Sequence, residues 1–180
     1  EFINLFTEKY TYKEFKDILP AEKTNVIQKI ATQSLQNTNQ INDFMEYKRT
    51  IAWDFYKKNE HQKAIDYIIE EIIETKLVQA KDYSALGDIY IETKQFVKAK
   101  ESYLKATQMD VNQLWYQLKY ANALVFNKEI SEAKEIHKKY KSNNIDAKIS
   151  WPQQVKFDID FYKSKGLNVD DFKKIMRIVD

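Results

Sequence analysis

Hydrophobic residues recur at intervals of three and four along almost the whole of this chain. Ile51, Ala52 and Phe55 follow this spacing, and so do Leu86 and Tyr90. The spacing places apolar side chains on one face of an α-helix. No stretch of strict alternation between apolar and polar residues stands out between two Gly, Pro or Asn turns, as a half-buried strand would show. The pattern therefore predicts an all-α chain.

Ten helices are predicted from this spacing and from the residues that begin or end helices. They cover roughly residues 3–17, 22–37, 41–58, 61–76, 80–93, 96–109, 114–127, 130–142, 153–164 and 169–178. Pro20 and Pro152 lie where a helix begins or a connection bends. Lys165 and Gly166 are typical of a helix end.

The chain also contains an internal repeat. Three segments, residues 55–64, 90–99 and 124–133, each begin with a large apolar residue, pass through a polar turn and end with an alanine. These alanines are 35 and 34 residues apart. Three further small residues, Ala52, Gly87 and Ala121, keep the same two spacings. A period in the range of about 20–50 residues predicts stacked helical or strand units.

The middle unit carries the clearest motif. Its residues are Tyr83-x2-Leu86-Gly87-x2-Tyr90, followed by Ala99-x3-Tyr103-x2-Ala106. This motif resembles the signature of the tetratricopeptide repeat family, which reads W-x2-L-G-x2-Y and then A-x3-F. The flanking units carry Ile51-Ala52-x2-Phe55 with Ala64-x3-Ile68, and Tyr120-Ala121-x2-Leu124 with Ala133-x3-His137-x2-Tyr140.

Three positions depart from the family pattern. Val111 stands in place of the usual closing proline, Glu71 replaces the small residue that Ala106 supplies in the middle unit, and His137 occupies an apolar site. The resemblance therefore covers residues 45–147 best.

The resemblance implies a right-handed superhelical array of antiparallel helix pairs, a TPR-like α-solenoid with helical caps. It would form a single domain over residues 1–180, with repeats at 45–79, 80–113 and 114–147. Residues 1–44 and 148–180 would be helical caps or degenerate repeats, because the end units of such arrays need a polar outer face. A non-repeating helical bundle is the alternative that the pattern leaves open.

Small residues are needed where two antiparallel helices pack closely. Ala52, Gly87 and Ala121 are expected to let the second helix of each pair approach the first. A bulky residue at Gly87 should overpack this joint, at a cost of about 1–3 kcal/mol.

In this family the first helix of each pair lines a concave groove, and that geometry gives a set of expected partner-binding residues. They are Arg49, Trp53, Tyr56, Lys81, Asp88, Ile91, Trp115, Leu118, Lys119, Asn122 and Val125. An apolar strip edged by Arg49, Lys81 and Lys119 suits an amphipathic helix or an extended apolar peptide. An alternative is that the aromatic members pack beneath the chain's own end helices.

Some members of the family bind a C-terminal carboxylate with a clamp of lysine, asparagine and arginine. Arg49 and Lys119 could be parts of such a clamp, but Trp53, Ala85 and Trp115 fall where its other residues would be. The pattern therefore disfavours a receptor for chaperone tails.

Composition narrows the functional classes. Hydrophobic residues make up 43% of the 180 residues, which excludes a disordered polar chain. The 29 basic and 27 acidic residues are mixed along the helices, and only Arg49 and Arg177 are arginine, so we expect no nucleic-acid partner. The chain has no cysteine, which fits a cytoplasmic protein. No apolar run approaches the roughly 18–20 residues that cross a membrane, so no membrane span is expected.

The N-terminal residue is Glu1 rather than Met, so we expect a shortened or processed chain, from which a leader, a lipid anchor or an upstream domain could be missing.

Candidate catalytic and metal-binding residues are few. His61 and His137 lie on different predicted helices without a partner at metal-ligand spacing, and His137 is expected to be a helix-packing histidine. Asp158 and Asp160 are two residues apart on a helix and so point in different directions. No hydrolase, phosphate-loop or zinc-protease motif occurs. We therefore expect no enzyme, no cofactor and no bound metal.

The function predicted from these features is a non-catalytic scaffold or adaptor that binds a peptide or helix of a partner protein in its groove. Two alternatives remain open. One is a peptide-sensing regulator module similar to the quorum-sensing receptors of Gram-positive bacteria, and the other is an immunity or inhibitor protein. Abundant Lys, Asn and Ile is typical of an AT-rich genome, and we expect a bacterial source.

Overall fold

The structure is a computed structural model that describes residues 38–179. The predicted helices at about residues 3–17 and 22–37, and most of the predicted cap at 1–44, lie outside the described residues. The chain forms two compact units that divide between Asp54 and Phe55.

Eight α-helices make up most of the described chain. They are α1 (Thr38–Lys57), α2 (His61–Ile68), α3 (Ala80–Glu92), α4 (Phe96–Met109), α5 (Leu114–Phe126), α6 (Ile130–Tyr140), α7 (Trp151–Ser164) and α8 (Lys173–Val179). A π-helical turn at Ile69–Ile73 continues α2, and a 3₁₀ turn at Asp170–Phe172 precedes α8. No strand occurs in residues 38–179, where one isolated bridge joins Asn144 and Ser150. The prediction of an all-α chain is confirmed for this part.

When the π turn is counted with α2 and the 3₁₀ turn with α8, the predicted ends of these helices differ from the observed ends by at most three residues. Helix α7 begins at Trp151, slightly before the predicted start, because Ser150 caps it. The Ser150 hydroxyl accepts from the backbone N–H of Gln153 at 3.4 Å, and the Gln153 side chain accepts from the backbone N–H of Ser150 at 2.9 Å. This reciprocal capping box satisfies two backbone donors at the helix start.

The same turn ends α1, α3, α5 and α7. Each turn has one residue in the left-handed region, namely Asn59, Lys94, Lys128 and Gly166, with φ between 57° and 68°. These four positions are 35, 34 and 38 residues apart. Three of them are not glycine, although a left-handed residue with a Cβ costs about 1–2 kcal/mol. The left-handed conformation therefore recurs at these positions even where a Cβ makes it unfavourable.

The hydrogen bonds of these turns also repeat. In each turn the residue after the left-handed position donates its N–H to the carbonyl five residues earlier. The pairs are Glu60 to Phe55 at 3.0 Å, Gln95 to Tyr90 at 2.8 Å, Glu129 to Leu124 at 2.9 Å and Leu167 to Tyr162 at 3.0 Å. This is the Schellman arrangement at a helix C-terminus. The segment predicted as a C-terminal cap, residues 148–180, thus contains the same helix-ending turn as the three predicted repeats.

Within residues 55–179, most consecutive helices pack against one another. Helix α2 packs on α3, α3 on α4, α4 on α5, and α5 on α6. Helix α3 also contacts α5, and α8 packs on α6 and α7.

At Gly87, helix α3 lies close to a ring of α4. A Cβ added to Gly87 would lie 2.7 Å from Cε1 of Tyr103, a distance that real Cβ contacts essentially never show. The Tyr103 ring is fully buried and cannot easily move aside. The corresponding Ala121 is also fully buried, as are Ala99 and Ala133 on the facing helices. The predicted role of these small residues in close packing is confirmed at Gly87.

The π-helical turn at Ile69–Ile73 explains how the first predicted repeat, residues 45–79, accommodates Glu71. A π turn contains about one residue more than an α turn, so it rotates the following side chains around the helix. Ile72 is buried, with 1% of its surface exposed, whereas Glu71 is half-buried. The extra residue of the 35-residue spacing lies in the same stretch, between Ala64 and Ala80.

An aromatic cluster joins the last helices to the rest of the second unit. Phe126 on α5 stacks on Phe96 at 4.8 Å between ring centroids. Its ring also meets Tyr162 of α7 edge-on at 5.0 Å and Phe172 at 5.2 Å. Aromatic pairs at these distances stabilise a core beyond the area that they bury.

In the part of the chain that the structure covers, no helix is both long and apolar enough to cross a membrane.

Candidate partner-binding surface

The structure separates the eleven predicted groove residues by accessibility. Trp53 and Lys81 are exposed, and Arg49, Tyr56, Asp88 and Trp115 are half-buried. The remaining five are buried, namely Ile91, Leu118, Lys119, Asn122 and Val125. Arg49 and Trp53 belong to the unit that ends at Asp54, and the other nine belong to the unit that begins at Phe55.

Helix α7 explains part of this burial. The Asn122 amide on α5 donates to Oδ2 of Asp158 on α7 at 2.7 Å. Both residues are buried, with 0% and 4% of their surfaces exposed. At this position α7 covers one member of the predicted set. The alternative drawn from the sequence concerned the aromatic members, of which Tyr56 and Trp115 are half-buried and Trp53 is exposed. Asp158 is a member of this site that the groove prediction did not include. Its neighbour Asp160 is exposed, in agreement with the predicted difference in direction.

Lys119 lies at the centre of a buried polar cluster. Its ammonium is 3.5 Å from carboxylate oxygens of both Asp88 and Asp158, and 4.8 Å from the centroid of the Trp115 ring. Burial by itself lowers the pKa of Lys119, but Asp88, Tyr162 and Asp158 together raise that pKa above its usual value. Lys119 therefore stays positively charged inside the structure.

Asp158 and Asp88 anchor this cluster on different helices. Asp158 on α7 accepts from the Gln154 amide at 2.9 Å as well as from Asn122, and burial raises its pKa although Lys119 opposes the rise. Asp88 on α3 accepts from the Tyr103 hydroxyl on α4 at 2.7 Å. Together with Lys119 these contacts join α3, α4, α5 and α7.

The cluster also bears on the carboxylate-clamp possibility. Two carboxylates already surround the ammonium of Lys119, and only 8% of its side chain is exposed. Its charge is thus compensated within the chain and is not presented to the C-terminal carboxylate of a partner.

A second polar cluster lies at the turn end of the helices, around Glu92. The Tyr56 hydroxyl donates to Oε1 of Glu92, and the Lys165 ammonium pairs with Oε2 at 2.7 Å. The Glu92 side chain is 4% exposed, whereas that of Lys165 is 37% exposed. Burial and the hydrogen bond to Glu92 raise the pKa of Tyr56. This cluster is therefore buried at Glu92 and open at Lys165.

Two phenylalanines form an accessible apolar surface beside this second cluster. Phe157 and Phe161 are 58% and 42% exposed and lie one turn apart on α7. They lie opposite the buried face of α7, which includes Val155, Ile159 and Tyr162. The predicted groove residues do not include this surface, because they end at Val125 in the third predicted repeat. The spacing of four between two phenylalanines in a helix is the signal that could have indicated it.

His137 is a packing residue between α6 and α7. The indole N–H of Trp151 donates to Nδ1 of His137 at 3.0 Å, and both side chains are fully buried. Burial lowers the pKa of His137 to about 4. The ring is therefore neutral at pH 7, with its proton on Nε2, which has no partner among the described residues. The predicted role as a helix-packing histidine is confirmed.

Residues 38–179 contain no group of three or more His, Cys, Asp or Glu side chains that could hold a metal ion. Comparison of the chain with protein-family models, with curated proteins and with solved structures gave no match. The function of this chain is therefore inferred from the geometry of its candidate partner-binding surface.

Proposed function

We propose that this protein is a non-catalytic interaction scaffold, a TPR-like right-handed array of helix pairs that binds a segment of a partner protein. The observation that carries the proposal is the fourfold recurrence of one helix-ending turn, at Asn59, Lys94, Lys128 and Gly166. Arrays of repeated helix pairs create extended surfaces, which proteins use to bind other proteins.

The helix contacts support this proposal. Helix α3 contacts both α4 and α5, as expected when the first helices of successive pairs lie side by side. The turn at Gly166 supports the assignment of residues 151–179 as a fourth, degenerate pair. The proposal includes a cytoplasmic location, for which the absence of cysteine is the supporting feature.

The accessible groove residues define the proposed binding surface. In the unit that begins at Phe55 these are Tyr56, Lys81, Asp88 and Trp115. Trp and Tyr are the residue types that most often dominate binding energy at interfaces. An amphipathic helix or an extended apolar segment of the partner would bind this surface, with its apolar side chains against Trp115.

Capture of partner proteins from a lysate of the source organism tests the proposal. The double variant Trp53→Ala/Trp115→Ala should lose captured partners that the unmodified chain retains. The matched control is Val97→Ala/Val111→Ala, which removes two exposed apolar side chains at 59% and 63% exposure from elsewhere on the surface. Circular dichroism should show that all three proteins are folded. Equal capture by the two double variants would contradict the groove assignment.

A further inference from the structure

Glu92 is a buried carboxylate whose two oxygens have different partners. Oε1 accepts from the Tyr56 hydroxyl, and Oε2 contacts the Lys165 ammonium at 2.7 Å. The Glu92 side chain is 4% exposed, and a cation beside it offsets part of the hydration that its carboxylate loses. Glu92 therefore provides one directed acceptor, Oε2, for one positively charged group.

Two aromatic rings flank the position of this cation. The Lys165 ammonium lies 6.0 Å from the centroid of the Tyr56 ring and 5.3 Å from that of Phe161. The Tyr56 ring in turn stacks on His61 at 5.5 Å, which fixes its orientation. A carboxylate combined with aromatic faces is an arrangement that proteins use to bind ammonium ligands.

The cation now in this position comes from a turn whose backbone is held independently. The N–H groups of Lys165, Gly166 and Leu167 donate to carbonyls of α7 at 2.9–3.2 Å, and none of these bonds involves the Lys165 side chain. The Lys165 side chain enters from solvent and is 37% exposed. It can therefore leave and be replaced while the turn stays folded.

We propose that Glu92, Tyr56 and Phe161 form a binding site for a primary alkylammonium group, and that Lys165 occupies this site until a lysine of a partner protein replaces it. The assignment to a partner lysine rests on the proposed scaffold function, whereas the ammonium chemistry rests on the contacts of Glu92, Tyr56 and Phe161. The exposed ring of Phe157, one turn from Phe161, would contact an apolar residue beside that lysine.

The geometry also predicts selectivity among cations. Because Tyr56 already occupies Oε1, Glu92 has no second oxygen for the paired hydrogen bonds that a guanidinium makes. The contact at 2.7 Å is a direct N–H to oxygen hydrogen bond, which a quaternary ammonium cannot make. The expected order of affinity is therefore n-butylammonium above ethylguanidinium and tetramethylammonium.

The test uses Lys165→Ala, which removes the internal ammonium, and n-butylammonium chloride as the probe. Saturable shifts of the Glu92 and Gly166 amide signals are expected in the NMR spectrum of this variant. Wild type should bind at least about tenfold more weakly, because its tethered lysine competes at high effective concentration. Potassium chloride at equal ionic strength is the control. The double variant Lys165→Ala/Glu92→Gln should bind no n-butylammonium.

Two results would overturn the ammonium site. One is a folded Lys165→Ala protein that shows no saturable binding, and the other is equal binding when Glu92 is replaced. If Lys165→Ala does not fold in buffer, n-butylammonium should restore its helical signal where potassium chloride does not. Failure of this rescue would equally overturn the site.

A dipeptide arm tests the source of the ammonium. Acetyl-Lys-Phe-amide should bind Lys165→Ala several-fold more tightly than n-butylammonium, and acetyl-norleucine-Phe-amide should not bind. Equal affinity of the dipeptide and the free amine would overturn the assignment to a partner lysine. Loss of capture by Trp53→Ala/Trp115→Ala tests the scaffold function separately, because neither tryptophan belongs to the Glu92 site.

Discussion

Two lysines in the unit that begins at Phe55 show how differently the same ammonium group can be used. Lys119 is 8% exposed and lies between Asp88 and Asp158 on two other helices. Lys165 is 37% exposed and reaches one buried carboxylate from a turn. Removing Lys119 leaves the buried carboxylate of Asp158 without its cation, whereas removing Lys165 leaves a site that solvent or a ligand can enter. The first lysine therefore stabilises the fold, and the second occupies a site that can be exchanged.

The largest effect in this comparison is expected from Lys119→Met. The substitution keeps the apolar volume but leaves buried Asp158 without its cation, and we expect a loss of about 3–5 kcal/mol in the free energy of unfolding. Urea unfolding at pH 7 measures it. The exposed Lys105→Met on α4 is the matched control and should change stability by less than about 0.5 kcal/mol. A loss for Lys119→Met no larger than that of the control would contradict a structural role for Lys119.

His137 is another buried polar group, and it makes the stability of the fold depend on pH. Burial lowers the pKa of His137 from 6.5 to about 4, so the folded state holds its ring neutral while the unfolded state takes up a proton. The stability that this difference provides is complete above pH 6.5 and is lost as the pH falls toward 4. Linkage gives a loss of about 2 kcal/mol at pH 5.

Denaturant titrations at pH 7.5 and pH 5 measure this effect. His137→Leu should be less stable at pH 7.5 but should show a smaller loss between the two pH values than wild type. His61→Gln is the control, because His61 is half-buried, and it should keep the full loss. The same pH dependence in wild type and His137→Leu would rule out His137 as its source.

A smaller effect is expected for Lys165→Ala. Since its ammonium is partly exposed and solvent can reach the vacated position, we expect a loss of about 1 kcal/mol. Lys163→Ala removes an exposed lysine from the last turn of α7, two residues before Lys165, and serves as the matched control. A loss for Lys165→Ala as large as that for Lys119→Met would show that the two lysines have the same structural role.

The smallest effect concerns the turns that end the helices. Lys94 has φ of 60°, where Gly166 has 68°, and a side chain is disfavoured in this region. Lys94→Gly relieves a strain of about 1–2 kcal/mol and costs about 0.5–1 kcal/mol in backbone entropy, so we expect a gain of about 0.5 kcal/mol. Gly166→Ala should lower stability instead. A higher melting temperature for Lys94→Gly and a lower one for Gly166→Ala would together support the shared turn geometry.

Much of the helical framework could be predicted from the sequence. Helix positions follow from apolar spacing, and the close approach at Gly87 follows from the small-residue repeat, because both depend on residues near one another along the chain. Glu71 shows the limit of this local information. The π turn that moves Ile72 into the core has no counterpart in the repeat pattern.

The polar contacts across helix pairs could not be predicted in the same way. Lys119 and Asp158, like Glu92 and Lys165, come from different pairs and obey no periodic spacing. Helical spacing places Asp158 on the same face as Val155 and Tyr162 and separates it from exposed Asp160. It does not indicate that Asp158 pairs with Lys119, because that contact depends on how α7 packs. The accessible and covered parts of the groove therefore became distinguishable only in three dimensions.

Small residues are expected to let the two helices of each pair pack closely enough to stack. The Hα protons of Gly87 report directly on this packing. The chain has only two glycines, so both are readily assigned by NMR. The Tyr103 ring lies against Gly87, so we predict a strong upfield ring-current shift of one Gly87 Hα and cross-relaxation to the Tyr103 ring, both lost in Tyr103→Leu. Gly87 Hα signals at ordinary helical chemical shifts, with no cross-relaxation to Tyr103, would show that α3 and α4 do not pack closely at Gly87.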